Sequence, residues 1–141
     1  MPQPPQLPKH TLAPPLAGLL LTVMALGELG VGLLVLAFPG PVTGFLFAAP
    51  VEGVGLVVAR MAGIAMAALG LTWWHARRDL DQRLTRVAPG FLVYNLGVGL
   101  VFLAYAATAS AVAPLSWVAA AAHLFAGLAF AAALLASLKR Q

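Results

Sequence analysis

Glu28, Arg60, Asn95 and His123 each stand inside an otherwise apolar run of the chain, one to each of four runs. A carboxylate, a guanidinium, an amide and an imidazole could pair with one another, hold a proton, or grip a small polar headgroup. Their setting makes them expensive: a charge at the centre of a helix in lipid costs about 2.5–3.5 kcal/mol on insertion scales, so such groups face the bundle interior and find partners. Counted from the run ends at 1.5 Å per residue, Glu28 lies roughly 15 Å deep, Arg60 and His123 roughly 10 Å, and Asn95 nearer 20 Å, close enough to be read as one polar layer.

Two readings of that layer stay open. In the first, Glu28 and Arg60 form a buried ion pair, with Asn95 and His123 as interhelical hydrogen-bond glue. In the second, the four residues line a cavity for a proton, a small ligand or a quinone-like headgroup. Any headgroup would then lie against Arg60 and His123, in space left by Gly63 and Gly127. The helical neighbours predict that all four face inward. Arg60 shares a face with Gly63, Ala67 and Gly70, and His123 with Ala119, Ala120, Ala126 and Gly127; Gly32 and Gly99 lie one turn from Glu28 and Asn95. Small residues let helices approach closely in lipid.

Other chemistry finds no residues to carry it. The chain has no cysteine, which excludes disulfides, thiol redox chemistry and thiolate metal sites. No H-E-x-x-H, G-x-S-x-G or phosphate-loop motif occurs, and the short G-x-G elements lack a strand–turn–helix setting. A single chain offers no two histidines at one depth for haem, because His75 falls at the end of its run. No catalytic residue and no metal site is expected, and no cofactor beyond a bound lipid or quinone.

The elements that must position these residues follow from composition. The chain has 141 residues, 62% hydrophobic and 9% charged, with a mean hydropathy of +0.95. About 20 apolar residues cross a bilayer as a helix, and four spans are predicted at about 16–38, 53–74, 89–109 and 115–138. Residues 1–15 are proline-rich and are expected to be an extended tail. The first apolar run is too long for the core of a signal peptide and has no A-x-A-like site after it, so it is expected to remain as a span. Residues 42–49 are apolar but too short to cross, and should lie at the interface with Phe45 and Phe47 dipping into the headgroups. Trp73 and Trp74 read as an aromatic anchor at one surface, and Trp117 as one at the other. Pro89 and Pro114 each read as the opening of a span.

Charge sets the expected orientation. Lys9, Arg77, Arg78, Arg83, Arg86, Lys139 and Arg140 all fall on one side of the spans, and the loops near 39–53 and 110–116 hold no Lys or Arg. Positive loops stay cytoplasmic, which predicts both termini inside. The net charge of +4 is explained by this signal and by anionic lipid, without nucleic acid.

A repeat is also visible. ELGVGLLVLA at 28–37 matches NLGVGLVFLA at 95–104, an offset of 67, and AGIAMAA at 62–68 echoes AGLAFAA at 126–132, an offset of 64. The predicted fold is an all-α, integral membrane four-helix up-down bundle, built as two duplicated helical hairpins related by an axis along the membrane normal.

The run Glu28, Pro39, Arg60-x-x-Gly63, Trp73-Trp74-His75-Ala76-Arg77, Tyr94-Asn95 and His123 resembles small four-helix bacterial membrane proteins of the broad DoxX-like type. The resemblance covers about residues 16–138. It implies the four-helix fold in the bacterial cytoplasmic membrane and points to a quinone, since some relatives are membrane subunits of quinone-linked oxidoreductases. It carries over no catalytic residue. Small multidrug transporters share a helix-one carboxylate, which Glu28 mimics, but Arg60 and the proline-rich tail depart from them. The expected role is a non-enzymatic accessory subunit, associating with other membrane subunits or with itself through Gly/Ala-rich helix faces. The alternative is binding or transport of a small amphipathic, quinone- or lipid-like ligand at the polar layer.

Overall fold

The computed structural model describes residues 15–78 and 80–138; the proline-rich tail with Lys9, and Lys139 and Arg140, lie outside them. The described residues form α1 (Pro15–Ala37), α2 (Pro39–Phe47), α3 (Val54–Ala76), α4 (Leu80–Thr108) and α5 (Pro114–Leu138). All but α2 are long and apolar enough to cross a bilayer, and the chain is a multi-pass, all-α membrane protein. Three of the four expected spans agree with their helices to within about a turn, the fourth having a different start. Pro114 heads α5 as expected, but Pro89 lies inside α4. The stretch from Leu80 to Arg86 is rich in helix formers and starts the helix early. Pro89 withholds one backbone bond near the end of the span, where water can reach the carbonyl it leaves free.

The bundle is made of two tight pairs. α1 packs along α3, α4 packs along α5, and lighter contacts of α1 with α5 and of α3 with α4 close the ring. Glycine sets both pairs. A methyl group placed on Gly32 would lie 2.6 Å from the Ala67 amide nitrogen and 2.7 Å from the Gly63 carbonyl oxygen. One on Gly70 would lie 2.6 Å from the Leu29 amide nitrogen. α1 and α3 therefore touch backbone to backbone, as small residues allow in lipid. In the second pair, methyls on Gly99 and Gly127 would meet the side chains of Leu124 and Leu96 at 2.7 Å. Gly32 and Gly99, and likewise Gly63 and Gly127, are counterparts at the two repeat offsets. Gly63 and Gly127 are thus filled by their neighbours, and the space expected beside them for a headgroup is taken.

Antiparallel packing puts the connection after α3 and both helix ends that face the chain termini at one end, here called the basic end. α2 and the α4–α5 connection lie at the other. Near the basic end the core is Leu21, Trp73, Phe91 and Phe130, with ring centroids 4.9 Å apart for Trp73–Phe91 and 4.4 Å for Phe91–Phe130. Trp73 is 2% exposed, so it fills the core instead of anchoring at the surface. Trp74 is half-buried and carries the Arg77 guanidinium 3.2 Å above its ring. Trp117 is exposed near the α2 end.

The short apolar segment is a helix that begins at Pro39, a favourable first-turn position for proline. Its last carbonyls are taken up from outside: Tyr105 Oη donates to Phe47 O and Ser116 Oγ to Leu46 O. Thr43 Oγ1 accepts the Val51 N–H at 3.0 Å, which folds the exit back onto α2. Gly53 then turns the chain into α3 at φ 53°, ψ −128°, a conformation open to glycine alone. Phe45 is exposed at the interface, as expected, but Phe47 is not free to dip into headgroups. It stacks on Phe102 at 5.4 Å because its helix end is bound to α4 and α5.

The glycine contacts predict a graded response. Gly32→Ala drives a methyl into backbone and should cost about 1–3 kcal/mol. Gly127→Ala meets a movable leucine and should cost less. Gly97→Ala meets nothing and should be neutral or slightly stabilising. Thermal unfolding of the three variants in one detergent, ranked against the parent, checks the order.

Candidate functional site

Three of the four singled-out residues meet at the centre of the bundle, joined by one that the spacing did not single out. Glu28 on α1 is 3% exposed and Asn95 on α4 is fully buried. Tyr94 Oη donates to Glu28 Oε2 at 2.7 Å, a bond across the diagonal of the bundle from α4 to α1. His123 on α5 places Nδ1 3.0 Å from Asn95 Oδ1 and Nε2 3.7 Å from Glu28 Oε1. Asn95 Nδ2 donates to Phe91 O at 2.9 Å.

This bonding order sets the imidazole tautomer. Because the Asn95 amide spends its N–H on Phe91, its oxygen faces His123, so Nδ1 of the imidazole carries hydrogen. The other ring nitrogen then faces the carboxyl group. At 3.7 Å the two are within ion-pair reach but beyond a direct hydrogen bond. The arrangement can hold a proton or join three helices. Among the described residues every buried side-chain nitrogen and oxygen has a partner.

Apolar side chains lie on both sides of the cluster along the bundle. The Trp73–Phe91–Phe130 core lies toward the basic end, and Tyr94 itself packs on Trp73 at 5.4 Å. Toward the α2 end are Phe102, stacked with His123 at 6.5 Å, and Phe47. Surroundings this poor in competing donors make each internal hydrogen bond count for more.

Arg60 is not in the cluster. It is exposed on α3, and among the described residues it forms no ion pair with Glu28. The reason lies in the packing register. Gly70 faces Ala25 and Leu29, and Gly63 faces Gly32 and Leu36, so Glu28 is level with the neighbourhood of Leu69. Arg60 stands about nine residues farther along, roughly 13 Å at 1.5 Å per residue. It is also turned roughly 60° round the helix from Gly63, off the face that packs on α1. Depth counted along separate spans did not resolve this offset, and the buried Glu28–Arg60 pair does not form.

Tyr94 is the member that spacing missed. The signal for it was a tyrosine in mid-span, one residue before Asn95: a buried phenol seeks an acceptor, and Glu28 is the one acid inside a span. His75 is exposed at the basic end, its Nδ1 2.8 Å from Leu71 O. Among the described residues no group of three or more His, Asp or Glu could hold a metal ion.

Coupling should follow this geometry. Tyr94→Phe leaves the Glu28 carboxyl short of a donor and should cost about 1–3 kcal/mol. Combined with Glu28→Gln the losses should be strongly non-additive, as for groups in one network. Arg60→Gln with Glu28→Gln should add simply, because the two do not touch. Double-mutant cycles from denaturant unfolding in mixed micelles measure both. No family model, curated protein or solved structure matches this chain.

Proposed function

We propose that this protein is a non-enzymatic accessory subunit of a larger assembly in a bacterial cytoplasmic membrane, with both termini on the cytoplasmic side. The observation that carries the reading is the closure of the central network. Hydrogen bonds join Tyr94 to Glu28, His123 to Asn95 and Asn95 to the Phe91 carbonyl, and with His123 in ion-pair reach of Glu28 they tie α1, α4 and α5 together. Of the polar groups inside the spans, Glu28, Asn95 and His123 are accounted for by assembly of the bundle, and Arg60 is not. What the chain offers outward is helix surface. α3 is the least enclosed of the spans, and Val54, Val58, Met61, Ala65, Ala68 and Thr72 line its face away from α1 at alternating spacings of four and three. Such a seam suits another transmembrane helix. The orientation is supported by the basic residues gathered at one end, among them Arg77, Arg78 and Arg86.

A second reading is favoured by one feature of the same cluster. A carboxyl group and an imidazole 3.7 Å apart inside a membrane form a proton-holding pair, and intramembrane ionisable groups often mark the path of a proton or a quinone-like ligand. The DoxX-like resemblance leans the same way.

Purification of the tagged chain in a gentle detergent separates the two. Recovery in a large, stoichiometric assembly is the expected result. A monomer or dimer that carries quinone, and loses it on Glu28→Gln, would replace the subunit reading with the ligand reading.

A further inference from the structure

Arg60 is the charged side chain that the bundle leaves unexplained. It is exposed, it lies within the apolar span of α3, and no hydrogen bond or ion pair joins it to another described residue. Glu28, the acid inside a span, is buried and engaged by Tyr94 and His123. Glu52 precedes α3 and forms no ion pair with Arg60 among the described residues.

The glycine register locates the side chain in the membrane. With Gly70 against Ala25 and Leu29, and Gly63 against Gly32 and Leu36, one further turn brings Arg60 level with Ala37, the last residue of α1. There the chain leaves the span and turns into α2. Side chains on a helix lean toward its N-terminus, which for α3 is the α2 end. The guanidinium therefore rises from the edge of the hydrocarbon toward the headgroups, as long basic side chains do near span ends. Below it on the same exposed strip, toward the bilayer centre, are Ile64 and Leu71. Apolar surface beneath a raised cation matches the two parts of a phospholipid: acyl chains along the helix and an anionic phosphodiester above them.

We propose that Arg60 is a phospholipid-binding residue, its guanidinium gripping the phosphate oxygens of a headgroup at the α2 end while the acyl chains lie along Ile64 and Leu71. The planar fork of arginine suits two oxygens of one phosphate, which lysine meets only as a point charge. This site is independent of the Glu28 network and of the subunit reading, since it uses a strip of α3 clear of the Val58–Met61–Ala65 seam and a different class of contact.

Native mass spectrometry of the full chain, released from micelles doped with phosphatidylglycerol or with diacylglycerol at equal load, tests it. The wild type should retain phosphatidylglycerol and not diacylglycerol. Arg60→Gln should reduce retention about tenfold, the effect of losing one charge-assisted pair, and Arg60→Lys should fall between. Arg86→Gln, which removes an exposed cation at the basic end, should retain lipid as the wild type does. Equal retention by wild type and Arg60→Gln overturns the proposal. So does equal retention of the two lipids, displacement by inorganic phosphate with no acyl chain, or an Arg60-dependent dimer that carries no lipid. If Arg60→Gln is not monodisperse, the lipid comparison on wild type and Arg60→Lys decides.

Discussion

The hydrocarbon interior of a bilayer supplies no hydrogen bonds, and from that constraint the architecture follows. Each polar atom within the spans must be answered by the protein itself. The backbone answers by being helical. Glu28 can answer only with side chains from elsewhere, and it draws Tyr94 and His123 to itself from two other helices. Without that demand the two glycine-packed pairs would have little reason to choose each other. Apolar surfaces in lipid gain nothing by meeting, so the pairs need geometry or polarity to select a partner. Here geometry builds the pairs and polarity joins them, with the Trp73, Phe91 and Phe130 rings filling the space that the joint creates.

The two pairs solve the same packing problem differently. α1 and α3 come together on Gly32, Gly63 and Gly70 with main chain against main chain. α4 and α5 keep a leucine in each notch, Leu124 at Gly99 and Leu96 at Gly127. If the hairpins descend from one ancestor, they have kept the glycines and diverged in what occupies them. Glu28 and Asn95 stand at the same repeat position, and both now belong to one network with different hydrogen-bonding roles: the carboxyl accepts, while the amide accepts from one side and donates to the other.

Much of this was legible in the residue order. Span length is a coarse signal that survives any detail of packing, so the four crossing helices were readable. The polar layer was readable in part, because Glu28, Asn95 and His123 are costly wherever they point. What residue order withholds is azimuth and register between helices. Arg60 shares a helix stripe with Gly63 and Gly70 on paper, yet a fraction of a turn and a half-bundle of axial offset separate it from Glu28. Trp73 looked like a surface ring because it closes an apolar run, but α4 starts early and brings Phe91 alongside. Pro89 looked like a helix start because the energetics of one missing bond, near water, are too small to read from the residue alone.

The division of labour between glycine and glutamate also orders the birth of the molecule. A ribosome delivers α1 and α3 first, and their backbone contacts are complete within that half. Glu28, however, has its donor on α4 and its imidazole neighbour on α5, which are still to be made. The nascent half is therefore well packed and yet electrically unfinished, holding an acid with no donor from the later helices. Only arrival of Tyr94 and then His123 ends that state. The same carboxyl that joins the finished bundle is, in the unfinished one, a polar demand that the first hairpin leaves unmet.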